Sequence, residues 1–118
     1  MRNISSAKRF SDHELLAEEW GIRFYCEKPI REDLAFVGIR AHYIEIPGED
    51  ENREKNVAEM TVDHLFEQQF ESELVLNPGV ENGKKMRLLM EKEKAEQLAK
   101  KKQIRIYFPE EALLLLRA

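Results

Sequence analysis

The chain has 118 residues, a net charge of −4 and 36% charged side chains of both signs, which suits one domain with a modest buried core. This charge balance is typical of a solvated surface and argues against binding to the phosphate backbone of nucleic acids. Cys26 is the only cysteine, so an intramolecular disulfide is excluded and a reducing, cytosolic compartment is expected. No apolar run approaches the roughly 18 residues of a membrane-spanning helix.

In the first half of the chain, apolar residues recur at the period of two that predicts β-strands with one buried face. A strand that opens at Asn3-Ile4 is followed by an alternating run of Ile22, Phe24 and Cys26. The segment Leu34 to Ile39 is apolar on both faces, which predicts a central strand covered on both sides. It runs through the turn Gly38-Ile39-Arg40 into a second short strand.

The second half predicts further strands and one helix. A strand opens at Asn56-Val57, and the chain closes with Pro109-Glu110 and the apolar strand Leu113 to Leu116. The apolar positions between them are Met60, Val62 and Phe66, then Phe70, Leu74 and Leu76, then Met86, Leu88 and Met90, and finally Ile104, Ile106 and Phe108. A helix is predicted at about Glu91 to Lys102, because acidic residues near its start and lysines at its end complement the helix dipole.

The charged segment 47–56 is interpreted as a surface connection between two halves that look like loose copies. Each half opens with asparagine and a β-branched residue, and each closes with a strand, a turn and a strand. A duplicated half-barrel would bury apolar faces that neither half could bury alone. The regular strand spacing predicts an all-β barrel or sandwich with one helix.

These motifs resemble the transport-associated OB (TOBE) region that follows the nucleotide-binding domain in ATPase subunits of ABC importers. The elements that carry the resemblance are Asn3-Ile4, Gly38-Ile39-Arg40-Ala41-His42, Asn56-Val57, and Phe108-Pro109-Glu110 leading to Leu113-Leu116. They span nearly the whole chain and look most like importers of the molybdate, tungstate and sulfate type, although Ala41-His42 stands where the family often has Pro-Glu. The resemblance implies an OB-like β-barrel of the TOBE type, built from two related halves.

The same resemblance implies that residues 1–118 are an accessory domain cut from a longer ATPase subunit, and not an enzyme. In such subunits the domain helps two ATPases pair and regulates import, and in some members it takes up the transported oxyanion. The implied partners are the nucleotide-binding domain of the same subunit, a second copy and a small oxyanion. The implied location is cytoplasmic, with the membrane reached only through the transporter permease. ATP and Mg²⁺ would belong to the parent subunit, so no cofactor is expected here.

The residue pattern indicates neither a catalytic site nor a metal site. The segment 79–85 lacks the spacing and the hydroxyl residue of a phosphate-binding loop, so Asn82-Gly83 is interpreted as a hairpin turn. The three histidines and Cys26 are scattered without the spacing of a zinc site. His64 falls on the apolar side of its strand, which a hydrogen-bonded histidine or a bulge would explain. We therefore expect no catalytic residue and no metal.

A tetrahedral oxyanion requires converging backbone N–H groups together with hydroxyls or cations, all of which β-turns can supply. The candidate oxyanion-binding or interface residues are Ser5, Ser6, Lys8, Gly38, Arg40 and His42. Gly38 and Arg40 are expected to shape the turn at the interface. A structural role for Arg40, bracing that turn, is the alternative.

The alternative function is an OB-type module that binds single-stranded nucleic acid. Such barrels stack bases on exposed aromatic side chains beside a basic groove. The candidates for stacking are Tyr25, Tyr43 and Tyr107, but they are not interleaved with a stripe of lysine and arginine. Nucleic acid is therefore not an expected partner.

Overall fold

A computed structural model describes residues 2–48 and 53–117, so the centre of the charged connection, residues 49–52, lies outside the described residues. Within these ranges the chain forms nine β-strands, one α-helix and one 3₁₀ turn. The strands are β1 Arg2–Arg9, β2 Glu14–Ala17, β3 Ile22–Tyr25, β4 Leu34–Arg40, β5 Val57–Glu67, β6 Ser72–Asn77, β7 Met86–Met90, β8 Gln103–Tyr107 and β9 Leu114–Arg117. Helix α1 spans Lys92–Ala99, and the 3₁₀ turn spans Glu110–Ala112.

The strands form two antiparallel sheets with the same internal order. One sheet has the order β3-β2-β1-β4-β9 and the other has the order β7-β6-β5-β8. If β9 is set aside, each strand of the first half has a counterpart in the second half at the same place in its sheet. The sheets are curled and together form a half-barrel. The duplication predicted from the sequence is visible in this topology.

The last strand segment of each half crosses to the other half. Strand β9 follows the second sheet in the chain but pairs with β4 of the first sheet, where Leu114 lies opposite Gly38. The segment after β4 makes the reciprocal crossing, since Glu45 and Tyr107 of β8 exchange two backbone hydrogen bonds of 2.9 and 2.8 Å. The two halves are therefore interleaved.

Two buried asparagines fasten each half to the edge of the opposite sheet. Asn3 on β1 donates from Nδ2 to the carbonyl of Arg87 on β7 and accepts the Arg87 N–H, both at 2.9 Å. Asn56, directly before β5, accepts the N–H of Tyr25 on β3 at 2.7 Å and donates to its carbonyl at 3.0 Å. Each side-chain amide thus satisfies backbone groups that have no neighbouring strand. The two Asn–β-branched pairs of the sequence mark these closures.

One hydrophobic core joins the two halves. Trp20 and Phe24 come from the first half, and Phe108 follows β8 in the second half. The Phe24 and Phe108 rings meet edge to face with centroids 5.0 Å apart, and Trp20 stacks on Phe108 at 6.4 Å. All three side chains are buried. Aromatic pairs of this geometry contribute beyond the area that they bury, so this cluster holds the sheets together.

Helix α1 lies on the second sheet, near β5 and β6, and buries Ala95 and Leu98. It ends at Ala99 and not at Lys102, so the predicted lysines of its last turn follow the helix and do not belong to it. No helix in the described ranges is long and apolar enough to cross a membrane.

The structure corrects three strand predictions. Strand β2 is missing from the predicted set, because four residues are too short to show a period. Phe70 is predicted to be buried, but it lies in the turn between β5 and β6 and is 82% exposed. Phe36 is 41% exposed, whereas the apolar pattern predicts a strand covered on both sides. The register of β5 shifts between Val62 and His64, so the bulge considered for His64 is confirmed.

Candidate oxyanion site

The two serines predicted to bind an oxyanion lie on β1, beside β4. Ser5 is fully buried, and its hydroxyl accepts the Glu19 N–H at 2.9 Å and donates to the Ser6 carbonyl at 2.8 Å. The Ser6 N–H donates to Glu19 Oε1 at 2.9 Å. The hydroxyl and the backbone donor that an anion would need are therefore already hydrogen-bonded to Glu19 and Ser6.

The Glu19 carboxylate stands where an oxyanion would be expected at these serines. Besides the Ser6 N–H it has Lys84 Nζ at 3.2 Å, so a backbone donor and a cation converge on it. The hydrogen bond from the Ser6 N–H holds the pKa of Glu19 below its ordinary value. Partial burial opposes this by raising the pKa, and Lys84 lowers the pKa further. Glu19 is thus an internal anion that fills the predicted serine site.

Glu19 is expected to stabilise the fold at neutral pH and to lose that contribution in acid. Because its folded-state pKa is lowered, the contribution is complete above the unfolded-state pKa and is lost as the pH falls through the folded-state pKa. Urea unfolding of the wild type and of Glu19→Gln should differ most above the ordinary glutamate pKa of about 4.3, and the difference should shrink as the pH falls below it. The exposed neighbour variant Glu18→Gln is the control, and a Glu19 difference that grows in acid would contradict this account.

Gly38 is needed for the close approach of β1 to β4. A Cβ atom at this position would lie 3.2 Å from the Asn3 carbonyl oxygen and 3.4 Å from Ile4 Cγ1. The contact with Asn3 is tighter than an ordinary van der Waals contact, so glycine lets β1 and β4 pair closely where Asn3 bonds to the other half. The prediction that Gly38 and Arg40 form a turn is wrong, because β4 continues to Arg40 and the turn follows at residues 41–43. Gly38 therefore shapes the strand pairing, and it contributes no ligand group.

The three predicted cations do not converge with the serines. Arg40 is exposed and lies opposite Arg2, whereas Lys8 lies opposite Leu16 near the other end of β1. Lys8 is six positions after Arg2 along the strand, a span of about 20 Å. His42 extends towards the second half, where its Nε2 lies 3.0 Å from Glu71 Oε2. The six predicted residues are thus spread over the domain, with Ser5, Ser6 and Gly38 as neighbours.

A basic cavity that the sequence pattern did not indicate lies beside β9. It has a volume of about 570 Å³ and is lined by Lys28, Pro29, Arg31, Asp33, Leu34, Leu115, Leu116 and Arg117. Asp33 Oδ2 lies 3.2 Å from Arg31 Nη2 and 3.9 Å from Arg117 Nη1. Three cationic side chains against one carboxylate leave a surplus of two positive charges. We call this site the basic cavity.

An acidic cavity of about 530 Å³ adjoins it and shares Lys28 and Leu115. Its remaining lining residues are Cys26, Glu27, Tyr107, Glu110, Glu111 and Leu113. Glu110 accepts the N–H groups of Glu27 and Lys28 at 2.8 and 3.3 Å, so these backbone donors are also taken by an internal carboxylate. Burial, and secondarily the charge of Glu110, raises the pKa of Cys26 to about 11, which keeps the thiol protonated.

Two of the three tyrosines considered for base stacking have a cation against the ring. Lys55 Nζ lies 3.8 Å from the ring centre of Tyr25, and the Arg53 guanidinium lies 4.1 Å from that of Tyr107. Tyr43 is 50% exposed. Two of the three rings therefore already have a cation on one face, and they do not form an open stacking platform. In the described part of the chain, no three His, Cys, Asp or Glu side chains are placed to hold a metal ion.

The strand order, the curled sheets and the single helix define an OB-like β-barrel, which confirms the predicted fold class. Among solved structures, the chain is similar to the cytoplasmic molybdate-binding protein ModG with molybdate bound. The TM-score is 0.67, the match covers 98% of this chain and 96% of that chain, and 13% of residues are identical. At this identity the match shows a shared fold. No family model matches the sequence, and no curated protein matches it.

Proposed function

We propose that this protein binds a small tetrahedral oxyanion of the molybdate, tungstate or sulfate class, and that the basic cavity is its site. Two observations support the proposal. The fold is shared over almost the whole chain with ModG, a molybdate-binding protein. The surplus of two positive charges in the basic cavity is the charge that a bound dianion would neutralise. We choose the basic cavity as the site because of this positive charge.

The Asp33 carboxylate indicates how an anionic oxygen would be held. One of its oxygens lies between the guanidinium groups of Arg31 and Arg117. Guanidinium donors are fixed in a planar fork that suits oxyanions, and charge-assisted hydrogen bonds of this kind are stronger than neutral ones. A dianion would approach the same two guanidinium groups from the open side of the cavity, where Lys28 supplies a third cation.

In the wider proposal, the chain is the accessory domain of an ATP-binding subunit of an ABC importer, on the cytoplasmic side. There it would pair with a second copy and bias the ATPase dimer between its open and closed states, with the oxyanion as a regulator. The chemistry of ATP and Mg²⁺ would belong to the parent subunit, and the permease would provide the contact with the membrane. The interleaving of the two halves in one barrel supports a mechanical role of this kind.

Oxyanion binding is tested by thermal unfolding in the presence of molybdate, tungstate or sulfate. An anion at about 100 times its Kd should add about 2.7 kcal/mol and raise the Tm by several degrees. Sodium chloride at the same ionic strength controls for screening of surface charges.

The site is tested with Arg31→Gln, which should remove most of the Tm shift. The matched control is Arg23→Gln, because Arg23 is also an exposed arginine with a carboxylate partner, Glu14 at 3.5 Å. A flat titration of the wild type would overturn oxyanion binding. A shift that survives Arg31→Gln would place the anion elsewhere in the domain.

A further inference from the structure

Three of the four sheet edges are each bonded at one residue by another part of the chain, and the fourth, the outer edge of β9, is not. Asn3 and Asn56 bond to backbone groups at the β7 and β3 edges, and Glu45 bridges the edge of β8. Strand β9 pairs with β4 on one side, and in the described ranges no strand or side-chain amide pairs with its other side. A row of unpaired backbone groups is a template for another strand.

Strand β9 has only part of the protection that edge strands usually have, since it is four residues long and ends in the charged residue Arg117. Its sequence, Leu114–Arg117, contains no proline and no lysine, and Leu115 is 40% exposed. Natural edge strands are normally blunted by such residues, by bulges or by a covering loop. A largely apolar edge that stays open in the folded chain is therefore suited to a short partner strand.

The charges beside β9 are arranged so that two copies of the chain would be complementary to each other. The acidic cavity, with Glu27 and Glu111, lies towards the start of β9, and the basic cavity, with Arg31 and Arg117, lies towards its end. When two β9 strands pair antiparallel about a two-fold axis, the start of each strand faces the end of the other. The acidic cavity of one copy then meets the basic cavity of its partner, as a self-complementary interface requires.

We propose that two copies of this chain associate through antiparallel pairing of β9 with β9, which continues the first sheet across the dimer. The inference deepens the pairing role in the proposed function and rests on it, but it does not depend on oxyanion binding. The strand supplies backbone hydrogen bonds and leucine contacts, while Glu111 of each copy lies near Arg117 of the other and sets the register.

Sedimentation velocity over a concentration series, without added oxyanion, measures this association. We expect a reversible dimer with a Kd in the micromolar range, and Leu115→Lys, which places a charge on the edge, should abolish it. Glu111→Lys and Arg117→Glu each place like charges opposite one another and should raise the Kd at least about tenfold. The control Glu18→Lys changes an exposed residue in the turn after β2, three strands away from β9, and should leave the Kd unchanged.

An equimolar mixture of Glu111→Lys and Arg117→Glu gives the decisive result. In that heterodimer both opposed positions again carry unlike charges, so dimerisation should return, which also shows that both variants are folded. A wild type that stays monomeric up to about 1 mM, or a dimer that neither variant weakens, would overturn the proposal. Glu111→Lys keeps every cation of the basic cavity, so its oxyanion titration reports independently on the proposed function.

Discussion

Asn56→Ala is expected to lower the free energy of unfolding by about 3–5 kcal/mol. The substitution removes both hydrogen bonds to the Tyr25 backbone and leaves a donor and an acceptor unsatisfied at the β3 edge, at a cost of about 1–3 kcal/mol for each group. Asn56 also has a φ of 58°, a left-handed conformation that costs alanine about 1 kcal/mol. Urea unfolding of the wild type and the variant measures the sum.

Two further variants separate these terms. Asn56→Gly accepts the positive φ but lacks the amide, so it should retain most of the loss. Asn82 has the same φ of 58° in an exposed turn, so Asn82→Ala should show the conformational cost alone, about 1 kcal/mol. If Asn56→Ala were no worse than Asn82→Ala, the amide would not be closing the barrel.

Phe108→Ala is expected to cost about 3–5 kcal/mol, the range for a fully buried aromatic residue. Phe108 belongs to the second half but packs on Trp20 and Phe24 of the first, so the cavity would open between the sheets. Trp20 is the only tryptophan, and its fluorescence therefore reports on this junction. Urea unfolding followed by fluorescence and by far-ultraviolet circular dichroism measures the loss.

The matched control is Phe70→Ala, which removes the same side chain from a turn where it is 82% exposed. It should change the stability by no more than about 0.5 kcal/mol. The two probes should give one shared transition for the wild type, because the core spans both halves. A Trp20 transition that precedes the loss of strand structure would show that the sheets unfold separately.

Much of the fold follows from local pattern. The period of two predicts β3 and β5 to β8, and the repeated Asn–β-branched openings predict the duplication that the strand orders confirm. A four-residue strand such as β2 is too short for an alternating pattern to be recognised. The pattern also does not predict the bulge after Val62, which reverses which side chains of β5 are exposed. Phe66 keeps the apolar parity of the sequence but is exposed for this reason.

The candidate site is harder to predict, because it is assembled by tertiary pairing. Arg31 lies two residues before Asp33, but Arg117 is 86 positions after Arg31 and approaches Asp33 only because Leu34 of β4 lies opposite Arg117 of β9. The serines of β1 had the right chemistry for an oxyanion, but the sequence does not reveal that Glu19 folds back onto them. The sequence does not show that the cations of the basic cavity lie close together in the folded chain.

The exchange of closing strands has a consequence for how such a domain can be built. Each half ends in a segment that pairs with the opposite sheet, strand β9 in the second half and the Glu45 bridge in the first, so a peptide corresponding to one half would lack the segment that pairs with its own sheet. Two such peptides can each supply the segment that the other lacks. Joining them in one chain makes their association intramolecular. The barrel thus has the geometry of a dimer of two similar units. Because both units belong to one chain, they are always present in a one-to-one ratio.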